Sequence, residues 1–331
     1  MRHNKFISTV IGGLALILAL AGCGSSEAGG SSSAESSSKA GGLISIIINN
    51  PNSPFWKAEG DIAEAAAKKM GYEAKVSAHE GDQSKEKNLI DAAISNKSVG
   101  IILDPADADG STASVKLAMD AGIPTVLVNA EINQSGVALA QLVSNNAQGA
   151  ALGAQEWVKD MGEKGTYVEI LGDPSDNNAA TRSNGYASVI SQYPDLKKVG
   201  EEVATNWDRT VAHNKMQSML QVNPDVKGVL PGADPMALGA IAALKEAGSE
   251  KGVVVGGFDG SPDAIDAVKS GDLAYTVLQP VSVFAEEAVK IVDENIRTGK
   301  KPDTEKKAFD CILITKDNVD KMTAPFVYSG S

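Results

Sequence analysis

The sequence predicts an α/β architecture of two lobes, each an open parallel sheet covered by helices. Three observations predict it. Short β-branched runs alternate with amphipathic stretches from Leu43 onward, the pattern of strand–helix–strand units. The alternation restarts around Val143, so it belongs to two sheets. The stretch from Leu43 to Ser331 is long enough for two ordinary domains.

In the first half, Leu43–Ile48 reads as a strand and Phe55–Met70 as an amphipathic helix ending at Gly71. Ala74–Ala78 is a strand, Ser84–Ser95 a helix and Val99–Leu103 a third strand. Ser111–Ala121 is a helix closed by Gly122, and Pro124–Val128 a fourth strand. In the second half, helices are predicted at Gly149–Met161, Ala179–Ser191, Thr210–Gln221, Met236–Ala247 and Pro262–Lys269. The strands between them are Tyr167–Leu171, Lys198–Val203, Val226–Leu230, Val253–Val255 and Leu273–Leu278. A long helix is predicted next, over Ser282–Arg297. The apolar run Phe309–Ile314 reads as one further strand, with Cys311 as buried filler within it.

Ahead of the first strand lie two segments of different kind. Arg2 and Lys5 precede an uncharged apolar run from Phe6 to Ala21. At about sixteen residues it is shorter than the ~20 of a spanning helix and fits a secretory signal. It ends in Leu20-Ala21-Gly22-Cys23, and small residues before a cysteine resemble the lipobox of bacterial lipoproteins. Residues 1–22 are therefore expected to be removed and Cys23 to be lipidated. Residues 23–42, rich in Gly, Ser and Ala, are expected to form a flexible tether. The chain would then be extracytoplasmic, anchored to the cell membrane through Cys23 only. Cys311 would be the one thiol of the fold, which excludes an internal disulfide.

Composition removes several functions. The formal net charge of −12 disfavours nucleic acid as a partner. No glycine-rich dinucleotide fingerprint, phosphate-binding loop or Gly-x-Ser-x-Gly elbow is present. The run from Asp104 to Gly110 suggests a calcium loop. Its register, however, places Pro105 first and Lys116 twelfth, and both ends fail. No cofactor and no metal site is predicted, and the chain is expected not to be an enzyme.

The residues just beyond the strands are more informative, because open α/β sheets bind ligands outside the carboxyl ends of their strands. Aromatics, carboxylates, carboxamides and an arginine gather there: Asn49 to Trp56, Asp104, Asn129 to Glu131, Arg182, Trp207, Ala233 to Asp234, Asp259 and Gln279. Aromatic rings cover the C–H faces of a sugar, and planar polar groups engage its hydroxyls. Buried, those groups must all be paired, which is how such a site rejects the wrong epimer.

Five collinear segments make the resemblance specific. They are Asn52-Ser53-Pro54-Phe55-Trp56, Gly100 to Pro105, Trp207-Asp208-Arg209, Asp234 to Ala240, and Val255 to Pro262. In these the chain resembles the ribose-type branch of the type I periplasmic binding proteins of ABC sugar importers. The resemblance implies two Rossmann-like lobes joined by a three-segment hinge, with a ligand cleft between them. Residues 43–144 plus 280–309 would form the N-terminal lobe, and 145–279 plus 310–331 the C-terminal lobe. It implies ligand contacts at Asn49, Ser53, Phe55, Trp56, Asp104, Asn129, Arg182, Trp207, Asp259 and Gln279, with Ala130, Glu131 and Ala233 at neighbouring positions. The implied partners are a small sugar or polyol, a membrane permease and its ATPase, the chain itself acting as a monomer.

Departures from the ribose pattern bear on the ligand. An Asp-Arg pair usual after the fourth strand is Asn129-Ala130 here, and an asparagine before the Asp234 segment is Ala233. These losses leave room and remove hydroxyl partners, pointing to a polyhydroxyl ligand other than ribose. A sugar-sensing receptor for a histidine kinase or chemoreceptor, or a secreted glycosidase, remains an alternative use of the same residues.

Overall fold

A computed structural model describes residues 41–330; the leader, Cys23 and most of the tether lie outside the described residues.

Two six-stranded sheets form the body. The first contains β1 (Leu43–Ile48), β2 (Glu73–Ala78), β3 (Gly100–Leu103), β4 (Thr125–Val128), β5 (Ala140–Ser144) and, much later in the chain, β11 (Lys306–Phe309). Its order is β11-β5-β4-β3-β1-β2 and every pairing is parallel. The second contains β6 (Gly165–Leu171), β7 (Leu196–Val203), β8 (Gly228–Pro231), β9 (Val254–Asp259), β10 (Tyr275–Leu278) and β12 (Ile312–Thr315). Its order is β12-β10-β9-β8-β6-β7, parallel except for the β10–β12 edge.

The helices are α1 (Pro54–Lys69), α2 (Gln83–Ser95), α3 (Ser111–Asp120), α4 (Asn146–Asp160), α5 (Asn177–Ile190), α6 (Arg209–Val222), α7 (Asp234–Glu246), α8 (Pro262–Ser270) and α9 (Val281–Thr298). Local chemistry sets their starts. Asp82, Asp176 and Asp208 each cap a helix by accepting from backbone N–H groups of its first turn. Pro54, Pro235 and Pro262 occupy first-turn positions, where a missing N–H costs nothing.

Both faces of each sheet are covered at its centre, so the inner strands β1, β3, β4, β8 and β10 are apolar without strict alternation, while the edge strands β2, β7 and β11 carry exposed charged residues. In β1, Ile44, Ile46 and Ile48 pack with Ala63 and Ala67 of α1, while Ile47 joins Ile90, Val115 and Ala118 beneath α2 and α3. In β6, Val168 and Ile170 pack with Met216 and Met236. Tyr167 faces Trp157 on the other side, edge to ring at 5.2 Å.

The chain crosses between sheets at three places: after Ser144, after Leu278 and after Phe309. The third corrects the single strand expected over Phe309–Ile314. β11 ends the first sheet at Phe309 and β12 begins in the second at Ile312. Between them Asp310 accepts from Asn145 Nδ2 at 2.9 Å, and the Cys311 N–H donates to Gln148 Oε1 at 2.9 Å. Cys311 is buried in this crossing and not within a strand. Apolar character alone says that a segment is covered, not which sheet covers it.

Candidate functional site

The carboxyl ends of the two sheets face each other across a cleft of about 260 Å³. The lobes touch at its rim. The Ala108 N–H donates to the Ser175 carbonyl at 2.9 Å, Asn177 Nδ2 to Asn133 Oδ1 at 2.8 Å, and Asn178 Nδ2 to the Asn129 carbonyl at 3.2 Å.

From the first lobe the cleft receives the loop after β1 and the start of α1, with Asn50, Asn52, Ser53, Phe55 and Trp56, and Asn129 after β4. From the second come Asp176, the cap of α5, with Asn178 and Arg182 of that helix, Asn206 and Trp207 ahead of α6, Ala233, Pro235 and Leu238 about α7, and Asp259 at the end of β9. Gln279 enters from the second crossing. Of the residues singled out from sequence, Ser53, Phe55, Trp56, Asn129, Arg182, Trp207, Ala233, Asp259 and Gln279 thus meet in one cavity. Asn49, Asp104, Ala130 and Glu131 do not line it. Asp104 lies beneath the wall, where it accepts from Asn129 Nδ2 at 2.9 Å and its own carbonyl meets His79 Nε2 at 2.8 Å. The Glu131 side chain turns away to an ion pair with Lys306 on β11. Asn129 can fold over Asp104 because it takes a left-handed backbone, φ 61°, which asparagine tolerates better than most residues.

The polar centre is Arg182, which is 3% exposed. Its Nε donates to Asn146 Oδ1 at 2.7 Å and its Nη1 to the Gly232 carbonyl at 2.8 Å. Asp259 Oδ1 stands 3.5 Å from Nη1 and accepts from Gln279 Nε2 at 2.8 Å. The guanidinium lies 3.9 Å over the Phe258 ring and 5.0 Å from that of Trp207, close enough for a cation–π contact. Asp259 has a φ of 130°, which a non-glycine residue holds only under constraint. Behind it, Asp234 accepts from the Ser261 N–H and the Thr276 hydroxyl, both at 2.7 Å.

Burial pushes these carboxyls up. Asp259 rises to about 6, held back by Arg182 and Gln279, and Asp176 also rises to about 6. Asp234 rises to about 8 through burial and the neighbouring Asp259 charge. A carboxyl whose folded pKa exceeds its unfolded value binds more protons folded than unfolded across that interval, so stability is lost as pH rises through it. His79, lowered by burial, opposes this below its ordinary range. Burial raises Glu59, Glu86 and Asp104 as well; together these carboxyls outweigh one imidazole, so the ligand-free protein is expected to melt several degrees higher at pH 5.5 than at pH 7.5 in a differential scanning measurement.

Trp207 depends on two glycines. Its own backbone is left-handed, φ 55°, and its ring lies on the backbone of Gly172 and Gly232. A Cβ at Gly172 would fall 2.2 Å from the ring, and one at Gly232 2.9 Å from it. Gly172→Ala is therefore expected to tilt the indole and weaken ligand binding at least ~10-fold, a loss of about 1.4 kcal/mol. A titration following Trp fluorescence reads this directly.

Asp176, Asn178 and Asn206 were not singled out from sequence. Asp176 and Asn178 look like an ordinary capped helix start, and Asp176 is indeed the cap, accepting from the Asn178 N–H at 2.8 Å. The signal that could have found them is their position directly after β6, the same place in the second lobe that Asn50 to Trp56 hold after β1.

Known proteins share this organisation. The periplasmic binding protein domain family matches residues 44–301. The D-apiose import binding protein of Paraburkholderia graminis is 47% identical over 284 residues, covering 86% of this chain and 90% of that protein. The ribose import binding protein of Salmonella typhimurium is 30% identical over 258 residues, covering 78% and 86% respectively. Among solved structures, an ABC transporter solute-binding protein of Bacillus halodurans with bound myo-inositol superposes with a TM-score of 0.79 at 26% identity. It covers 86% of this chain and 98% of that one.

Proposed function

We infer the role of this chain from its family: it belongs to the periplasmic binding protein domain family, and it is a sugar-binding protein of ABC import and not an enzyme. The observation that carries the reading is the cleft itself. Trp56 and Trp207 wall it from opposite lobes, and the network of Arg182, Asp259 and Gln279 forms its floor.

The proposed ligand is a small branched or cyclic polyhydroxyl compound, with D-apiose first. Two relatives, at 47% and 46% identity, are D-apiose import binding proteins. The replacement of the ribose-type Asp-Arg pair by Asn129-Ala130 agrees with a ligand other than ribose. Two acceptors of the lining residues, Asn129 Oδ1 and Gln279 Oε1, have no partner among the described residues. An unmet buried acceptor costs about 1–3 kcal/mol, and sugar hydroxyls are suited to supply the missing donors.

The mechanism proposed is hinge closure. The open lobes exchange with solvent, and a sugar that touches both favours the closed form, which the permease then engages. Residues 43–144 plus 280–309 and residues 145–279 plus 310–331 are the two moving lobes of this proposal. Cys23 is the lipid anchor that keeps a monomeric receptor beside the permease on the outer side of the membrane.

The test is a thermal-shift screen with D-apiose, D-ribose, hexoses, polyols and cyclitols. A ligand at ~100 times its Kd stabilises the native state by about 2.7 kcal/mol, a rise of several degrees for a chain of this size. D-Apiose is expected to give it; no shift with any polyhydroxyl compound would refute the reading. Because a sugar hydroxyl donates to the ionised form of Asp259, affinity is also expected to fall as pH drops below about 6, opposite to the trend of ligand-free stability.

A further inference from the structure

The chain ends in an element that two sheets and three crossings do not require. After β12 come β13 (Met322–Ala324) and β14 (Val327–Tyr328), an antiparallel hairpin turning at Pro325-Phe326. Its base is fastened to the second lobe. Asn318 Nδ2 donates to the Leu313 carbonyl at 2.9 Å and stands 3.4 Å from the Tyr328 hydroxyl. The Ser329 N–H closes the base on the Lys321 carbonyl at 3.0 Å. Its tip is elsewhere. The Phe326 ring meets Phe55 edge-on, centroids 5.8 Å apart, and its carbonyl accepts from the Ser282 hydroxyl of α9 at 3.2 Å. Both partners belong to elements of the first lobe.

Phe326 differs from everything around it. Thr323, Ala324, Pro325 and Val327 are exposed, while Phe326 is 2% exposed. It also holds a left-handed backbone, φ 59°, a conformation a bulky residue keeps only where its surroundings over-determine it. Those surroundings are the far side of a cleft residue. Phe55 lines the cleft and is backed by Phe284 of α9, centroids 6.5 Å apart, as well as by Phe326.

We propose that Phe326 is a positioning residue for the cleft, and that the C-terminal hairpin straps the second lobe to the underside of the first lobe's aromatic platform. The strap fixes the Phe55 ring and the first turn of α1, which also carries Trp56. The proposal rests on the reading of the cleft as a sugar site only for its consequence on affinity; the mechanical contact stands apart from the ligand.

The test replaces Phe326 in the whole chain by alanine and by leucine, and reads two quantities. One is calorimetric titration with D-apiose; the other is amide hydrogen exchange without ligand. Phe326→Ala is expected to raise Kd about 10-fold at an unchanged one site per chain. Exchange over residues 53–59 should accelerate at least ~10-fold, with β8 and β9 unchanged. Phe326→Leu should give a smaller change of the same kind in both, and it decides the matter if the alanine variant does not fold. An unchanged Kd with unchanged exchange at 53–59 overturns the strap. So does faster exchange throughout with fewer sites of normal Kd, since that is simple loss of stability. If the unaltered protein binds no D-apiose, that ligand assignment fails while the exchange readout still decides for or against the strap.

Discussion

Asp259→Asn is expected to weaken sugar binding about 100-fold while leaving the ligand-free protein at pH 7.5 at least as stable as the parent. Asp259 is the carboxylate beside a guanidinium that is almost wholly buried. Burial raises its pKa to about 6 in spite of that guanidinium, so a neutral amide of the same shape relieves desolvation in the free protein. Arg182 keeps its bonds to Asn146 and the Gly232 carbonyl whether or not sugar is present. The loss falls on the complex: an asparagine supplies one acceptor oxygen where the carboxylate supplies two, and at about 1.4 kcal/mol per tenfold the affinity drops by roughly two decades. Calorimetry separates the two effects, since stability is read without ligand. Binding within threefold of the parent would mean that Asp259 serves only to hold Arg182.

Trp207→Ala is the second large effect. The ring is 7% exposed, closes one side of the cleft and flanks Arg182. Truncating a buried aromatic anchor at a binding site costs at least about 2 kcal/mol, so the affinity is expected to fall ~30-fold or more. Trp207→Phe keeps a flat apolar face and should stay within about fivefold. The pair distinguishes stacking from a role of the indole N–H, because phenylalanine removes the donor and keeps the face. Equal losses in both variants would assign the effect to the nitrogen.

The fold was legible in the sequence because its signals are local. Strand–helix alternation, glycine at helix ends and proline or aspartate at helix starts all act over a few residues. The aromatic wall was legible too, since Trp56 and Trp207 come after predicted strands and stand among polar neighbours. The hidden features depend on distant partners. Asp104 looks like a cleft residue by position and is sealed below Asn129 by a left-handed turn at that asparagine. Glu131 stands beside the expected contacts after the fourth strand and pairs instead with Lys306, which lies far along the chain. The resemblance places a lobe boundary after residue 309, but the apolar run from Phe309 to Ile314 reads through that point as one strand, so the break in pairing between Phe309 and Ile312 has no periodicity to mark it. Phe326 lies beyond the last predicted strand, where no periodicity marks it as buried.

In the proposed mechanism the facing sheets close on one small sugar. The most direct measurement is a calorimetric titration of D-apiose into the purified chain, with small-angle scattering of the free and saturated protein. Closure on a sugar requires one site per chain, no product formed, and a smaller radius of gyration once the site is filled. Saturable binding with unchanged dimensions, or turnover of the sugar, would contradict it.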